Sequence, residues 1–342
     1  MSKRAAEPVT ADVAIPVPGR TSESASATQG MNITLPGYIS AGRIWFVCGT
    51  LEFLTVSTAT GLSLVEPSVV DLNDPSASVD WSSMELTTDS VAGVTADISF
   101  VDFVGLPLGI TLETNDPSGP QSAQGLNSTD AISSICDELR NQTETDGQPW
   151  DELCVTNGTT DGRPLRVLSP ADYIDLNPNA FSGYFEGYVD QVWQYYANNT
   201  LTFENGINCN VTDEKLICDG DDQGFQKPTT SDIFGCNTGP FATSSSDSQA
   251  HLAVIPRLCS GFNRHTLLSD EAQQQIGDQT GYFTQIPNNW YSSIVHKYEI
   301  DGKGYAFAYD DVDPEGGASL SGLVSSANPV SLTVTIGGPS MS

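Results

Sequence analysis

Positive charge is scarce in this chain. Its 342 residues carry 13 Lys and Arg against 43 Asp and Glu, a formal net charge of −30. A phosphate-backbone binder is excluded, because nucleic acid is neutralised by clustered Lys and Arg. Anionic membrane surfaces are disfavoured for the same reason. A neutral polar partner such as a polysaccharide is left open. Long apolar runs are missing too. Ser99 to Leu112 is the longest, and it contains Asp102, Gly105, Pro107 and Gly109, where a membrane span needs about 18 uninterrupted apolar residues. Histidine is rare, with His251, His265 and His296 scattered, and no CxxC pair occurs. Zinc is therefore not expected, nor is any other metal or cofactor. The sequence also lacks a G-x-S-x-G elbow, a Walker loop, a G-x-G-x-x-G turn and an H-E-x-x-H helix. No apolar stretch follows the basic Met1–Arg4 start, so no signal peptide is visible.

What is present is a folded, loop-rich composition of 31 Gly, 20 Pro and 38% hydrophobic residues. It suits one large domain or two lobes rather than a helical bundle. Seven cysteines fall into three local pairs, Cys136 with Cys154, Cys209 with Cys218 and Cys236 with Cys259, leaving Cys48 as an expected buried thiol. Such pairs are read as disulfide loops of an oxidising compartment. Six Asn-X-Ser/Thr sequons, at Asn32, Asn127, Asn141, Asn157, Asn198 and Asn210, add weak support. The expectation is an extracellular monomer, seen here without a leader.

Residues 1–30, rich in Pro, Ala, Ser and Thr, are expected to be disordered. Short strands separated by turns follow, at Arg43–Cys48, Leu51–Val56, Met84–Thr88 and Ala96–Val104. Helical spacing is expected over 129–142, with Ile132, Ile135, Cys136 and Leu139 as its stripe behind a Thr129 or Asp130 cap, over 179–199 with an aromatic stripe, and near 256–268. Strands return at Val295–Ile300, Tyr305–Tyr309 and Val330–Ile336. The order strands, helices, strands predicts a mainly β fold, a barrel or sandwich closed by both chain ends, with a mixed α/β lobe inserted.

An acidic, histidine-poor chain without nucleophile motifs is a candidate for chemistry by two carboxylates. Asp102 interrupts an apolar strand and is expected on a face with Phe100 and Val104, a desolvating position that raises a carboxyl pKa. Glu85 shares a face with Trp81, Ser83 and Thr87. A turn centred between Ala92 and Gly93 would place Glu85 opposite Phe100 and diagonal to Asp102, at about 7–8 Å. Inverting glycosidases hold their carboxyls roughly 6.5–9.5 Å apart and retaining ones about 5–5.5 Å, so the pair suits inversion. The competing reading is one buried acid held by turn amides. Asp311, Asp313 and Glu315 could hold Ca²⁺, but without the EF-hand spacing they read as an acidic turn. Trp81, Trp150 and Trp290 could stack on a sugar ring, or simply pack.

The strings Gly-Arg-Ile-Trp-Phe (42–46), Leu-Val-Glu-Pro-Ser (64–68), Glu-Leu-Thr (85–87), Val-Asp-Phe-Val-Gly-Leu-Pro (101–107), Asp-Ile-Phe-Gly-Cys-Asn-Thr-Gly-Pro-Phe (232–241) and Gly-Lys-Gly-Tyr-Ala-Phe-Ala-Tyr-Asp-Asp (302–311) resemble the β-1,3-glucanases of glycoside hydrolase family 64. The resemblance runs in order from about residue 31 to 338. The last string also resembles the thaumatin-like superfamily. It implies a thaumatin-like barrel or sandwich of residues 31–118 and 230–340, an α/β lobe of 119–229, and a groove between them for a β-1,3-glucan chain. It implies endo-hydrolysis with inversion and a laminaripentaose-type product. Glu85 matches the family's general acid, Asp102 its general base and Thr87 a groove threonine. Asp89 stands where Asn is usual. Trp81 and Trp290 complete the substrate-binding candidates. A non-catalytic, glucan-binding wall protein is the alternative.

Overall fold

The computed structural model describes residues 7–9, 32–35, 37–58, 61–71, 73–156, 162–203, 205–269, 279–313 and 319–338. The fold is mostly β-sheet with several helices. Its strands form one four-stranded and four three-stranded antiparallel sheets, and no closed barrel is seen among the described residues. No described helix is long and apolar enough to cross a membrane. Of the leader expected to be disordered, residues 7–9 pair as a strand with Phe53–Thr58; the rest of 1–30 lies outside the described residues.

The four-stranded sheet positions the site. Its order is Leu323–Ser326, Gly93–Ile98, Asp80–Asp89 and Gly42–Cys48. In Asp80–Asp89, Ser82, Met84, Leu86 and Thr88 are buried on one face while Glu85 and Asp89 are exposed on the other, the two-residue alternation of a half-solvated strand. Ser90, Val91 and Ala92 form the loop to the next strand. Asp89 Oδ1 accepts the amides of Val91 and Ala92, both at 2.6 Å. Gly93 follows with φ +76°, and a Cβ there would lie 2.1 Å from the Ser326 carbonyl oxygen; conformation and close approach both demand glycine. Cys48 is exposed, not the buried thiol expected. It ends the edge strand, where no neighbouring strand covers it.

Helix α1, Ala131–Asp146, buries Ile132, Ile135, Cys136 and Leu139 and ends at Gly147 in the left-handed region, a common C-terminal stop. Asp130 occupies its N-cap position but makes no side-chain cap bond. Helix α2, Pro170–Leu176, starts behind Ser169, whose hydroxyl accepts from the Asp172 amide. Helix α3, Glu186–Tyr196, buries Tyr188, Val189, Val192, Trp193 and Tyr196. It is shorter than the 179–199 pattern because Phe181 turns to φ +56°. Trp150 lies fully buried among Phe181, Tyr184 and Phe234, so its indole packs in the core. Thr229 and Asp232 form a capping box on α4, Thr230–Gly235.

Helix α5 spans Gln249–Arg264 rather than 256–268. Pro256, which reads as a start signal, sits inside it, and Ser248 is the cap. The strand expected at Val295–Ile300 is instead α6, Trp290–Tyr298, capped by Asn289 and burying Tyr291, Ile294 and Val295. Those positions follow the i, i+3, i+4 spacing of a helix. No strand forms at Tyr305–Tyr309; Tyr305 contributes a single bridge to Ser99, and Ala306 is held by the Asp310 carboxylate and the Ser292 hydroxyl.

Three disulfides join the expected partners, Cys136–Cys154, Cys209–Cys218 and Cys236–Cys259. The second clips the hairpin of Asn208–Thr212 and Lys215–Cys218. The third spans 23 residues and ties the end of α4 to α5. Replacing Cys236 and Cys259 together by Ser is expected to cost about 2–4 kcal/mol, by freeing a loop in the unfolded chain. A lower urea midpoint for the double variant is the measurement.

Candidate active site

Arg43, Glu85 and Asp97 stand in one row across the sheet, because Arg43 is the register partner of Glu85 and Glu85 that of Asp97. The three-residue loop pairs Asp89 with Gly93. The ladder is therefore offset from the expected one, and Glu85 faces Asp97 rather than Phe100. Arg43 Nε and Nη2 both donate to Glu85 Oε1, at 3.0 and 2.9 Å, and its Nη1 donates to Glu66 Oε2 at 2.9 Å.

Asp102 is not on a strand. It lies in the bend between Gly93–Ile98 and the short strand Phe103–Val104, while Phe100 and Val104 on either side point into the core. Its carbonyl accepts the Ser169 amide at 2.8 Å. Because Ser169 caps α2, this bond brings the first turn of that helix, and with it Asp172, to the Asp102 bend. Asp102 keeps accessible surface, so solvent reaches it, yet crowding by the groove walls displaces enough water to raise its carboxyl pKa. Arg43 opposes that rise and Glu85 adds to it. Burial likewise pushes Asp172 up to about 7, with Asp102 and Asp175 adding repulsion. Asp97 is pushed up to about 6 by burial and by Glu85, against the pull of Arg43.

These groups line a groove of about 590 Å³. Residues 66–70 form one wall, and Tyr305 and Ala308 stand with Asp172 around the acids. Among the described residues five carboxylates line it (Glu66, Glu85, Asp97, Asp102 and Asp172), with Arg43 as the one lining cation. Trp45 and Trp81 reach it from the sheet. Trp81 is 4% exposed, donates Nε1 to the Ser76 carbonyl, and meets Phe103 edge-on at 4.8 Å. Trp45 is half-buried against Phe53, leaving more ring surface for a ligand.

Of the residues expected from sequence, Glu85, Asp102 and Trp81 come together here. Thr87 is on the strand face of Glu85, two residues along, and its hydroxyl accepts the Ala41 amide at 3.1 Å. Asp89 caps the loop at the strand's end, and those amides hold its carboxyl pKa down. Trp290 begins α6 and packs against the core rather than lining the groove. Among the described residues no group of three or more His, Cys, Asp or Glu is arranged to hold a metal ion; Glu315 lies outside them, as does the Asn157 sequon. Arg43, Trp45, Asp97 and Asp172 were not foreseen as site residues. Alternation from Thr95 to Asp97 carried a signal for Asp97. Nothing local marked Asp172, which arrives through the Ser169 contact.

A family model for Beta-1,3-glucanase, glycoside hydrolase family 64, matches residues 1–336. The glucan endo-1,3-beta-glucosidases of Cellulosimicrobium cellulans and Arthrobacter sp. (strain YCWD3) are each 25% identical over 314 residues, 88% of this chain and 52% of theirs. The chain thus spans about half the length of these curated relatives. A laminaripentaose-producing beta-1,3-glucanase solved with laminaritetraose is similar with a TM-score of 0.73 and 27% identity, over 86% of this chain and 78% of that one. A beta-1,3-glucanase domain from Clostridium beijerinckii shares the fold, with a TM-score of 0.69 and 21% identity over 87% and 75%.

Proposed function

The chain belongs to the β-1,3-glucanases of glycoside hydrolase family 64, and from that premise we propose that it is an endo-β-1,3-glucanase cleaving its polysaccharide with inversion. The observation that carries this reading is the meeting of Glu85 and Asp102 in one groove on independent supports, a strand and a bend. Glu85 protonates the departing glycosidic oxygen, and Asp102 takes a proton from the water that attacks the anomeric carbon from the opposite face. Solvent access at Asp102 suits a base that must hold a water. Trp45 offers an aromatic face to a sugar ring.

The base works only when ionised. Since burial raises the Asp102 carboxyl, kcat/KM is expected to fall on the acid side at a pH above the ordinary aspartate value. The product follows the laminaripentaose type named for the solved relative, released from β-1,3-glucan by a monomer working outside the cell. The three disulfides support that location. We read residues 31–118 with 230–340 as a thaumatin-like barrel or sandwich domain and 119–229 as the inserted lobe. Asp172 reaching the groove from that inserted stretch supports the division.

The test is incubation with linear β-1,3-glucan beside a Glu85→Gln variant, following reducing ends and the anomeric form of fresh product by NMR. Short oligosaccharides in the α form, lost in the variant, are expected. A β product would overturn inversion. Binding without hydrolysis would make the chain a glucan-binding wall protein.

A further inference from the structure

Asp97 has no role in the two-carboxylate mechanism, yet it is the cross-strand partner of Glu85. Directly opposed residues of an antiparallel pair hold their Cβ atoms about 4.5–5.5 Å apart. Both side chains line the groove, Asp97 from a partly buried position and Glu85 from an exposed one. The bonds of Arg43 go to Glu85 and Glu66, and Leu323, the partner of Asp97 on its other side, is uncharged. Two carboxylates so placed repel each other when both are ionised, and the charge of Glu85 favours a proton on Asp97.

We propose that Asp97 is a positioning residue that shares one proton with Glu85 and keeps that proton in the groove for delivery to the glycosidic oxygen. This rests on the reading of Glu85 as the general acid. While the pair holds one proton, the charge of the ionised partner keeps it in the groove. When Glu85 gives a proton to the leaving oxygen, the pair is left doubly ionised and regains one proton from solvent before the next cycle. The charged and titratable groups around the pair are Arg43 and Glu66 at one side, Asp102 and Asp172 from the bend and α2, and the Tyr305 phenol. Arg43 alone among them opposes a retained proton. The elevated carboxyl of Asp97, near 6 through burial and the charge of Glu85, agrees with one held there.

Asp97→Asn preserves size and removes one ionisation. The pH profile of kcat/KM on linear β-1,3-glucan and a carboxyl ¹³C NMR titration without substrate would be recorded for both proteins. In the variant the alkaline limb is expected to move to lower pH by about one unit, with KM little changed, and the coupled two-step titration to become a single lower step. An unmoved limb together with an unmoved carboxyl titration would overturn the proposal. If Asp97→Asn is inactive, the NMR titration decides alone, since it needs no turnover. An active Glu85→Gln variant would instead overturn the assignment of the acid. Inactive Glu85→Gln with an unmoved limb in Asp97→Asn would sink only the shared proton.

Discussion

Replacing Asp102 by Asn is expected to lower kcat on linear β-1,3-glucan by about 10²–10⁴-fold, the usual worth of a positioned general base, with KM little altered. Asparagine matches aspartate in size but cannot take a proton from water. The local structure should survive, because the bend is tied to α2 through the Asp102 carbonyl and not through its side chain. Retention of activity to within about tenfold would move the base to another groove acid. Asp172 is the first to examine, since it faces the same space from α2. Steady-state kinetics with a circular dichroism check on folding separates these outcomes.

Asp310→Ala is expected to destabilise the protein by about 3–5 kcal/mol, the range for removing one partner of a buried ion pair. Asp310 is fully buried and serves three groups. Its Oδ1 accepts from Arg264 Nη2 at 3.0 Å, and its Oδ2 meets His296 Nε2 at 2.8 Å and the Ala306 amide at 2.9 Å. Glu299 holds the other ring nitrogen of His296 at 2.8 Å. Arg264 is itself buried, with its guanidinium 4.3 Å from the centre of the Tyr282 ring. Alanine would leave two buried cations with reduced compensation and free the loop that carries Tyr305 and Ala308 to the groove, so glucanase activity should fall along with stability.

The same cluster has a defined pH dependence. Burial disfavours a charged His296, but Asp310 and Glu299 outweigh it and push its pKa up from 6.5 to about 10. The contribution of His296 is therefore complete below pH 6.5 and is lost as pH rises through about 10. Asp310 is opposed by its own burial, yet the neighbouring cations hold it below its ordinary 3.8. Its contribution is complete above that value and lost as pH falls through the lowered one. The difference in urea midpoint between wild type and Asp310→Ala should be widest between about pH 4 and 6.5 and narrow toward pH 10.

The cysteine pairs were legible because each joins near neighbours in sequence, and Asp102 was conspicuous as an acid amid apolar residues; that it lines one groove with Glu85 comes from the fold. The helix stripes of α1 and α3 were legible from their spacing. Register was not. A turn at Ala92-Gly93 and the observed Ser90–Ala92 loop have similar composition, and the choice between them rests on Asp89 binding two amides and on Gly93 passing Ser326. That choice alone decides whether Glu85 faces Phe100 or Asp97. The α6 segment misled because Val295, Tyr298 and Ile300 are residue types that favour strands, whereas its helical state is set by the Asn289 cap and by Tyr291 and Ser292 bonding Phe100 and Ala306. The Arg264–Asp310–His296 cluster assembles from distant segments and leaves no local pattern.

The groove sheet also imposes an order on folding. Strand Gly93–Ile98, which carries Asp97, is flanked on one side by its hairpin partner and on the other by Leu323–Ser326, where Thr95 and Ser325 hydroxyls meet across 230 residues of chain. During synthesis the acids precede the last strand of their sheet, which keeps an open edge until Leu323–Ser326 has been made and can pair. Pairings that distant close slowly. A half-made chain therefore presents an unpaired, partly apolar strand edge to its neighbours, and the yield of active enzyme should depend on how crowded and how warm that waiting period is.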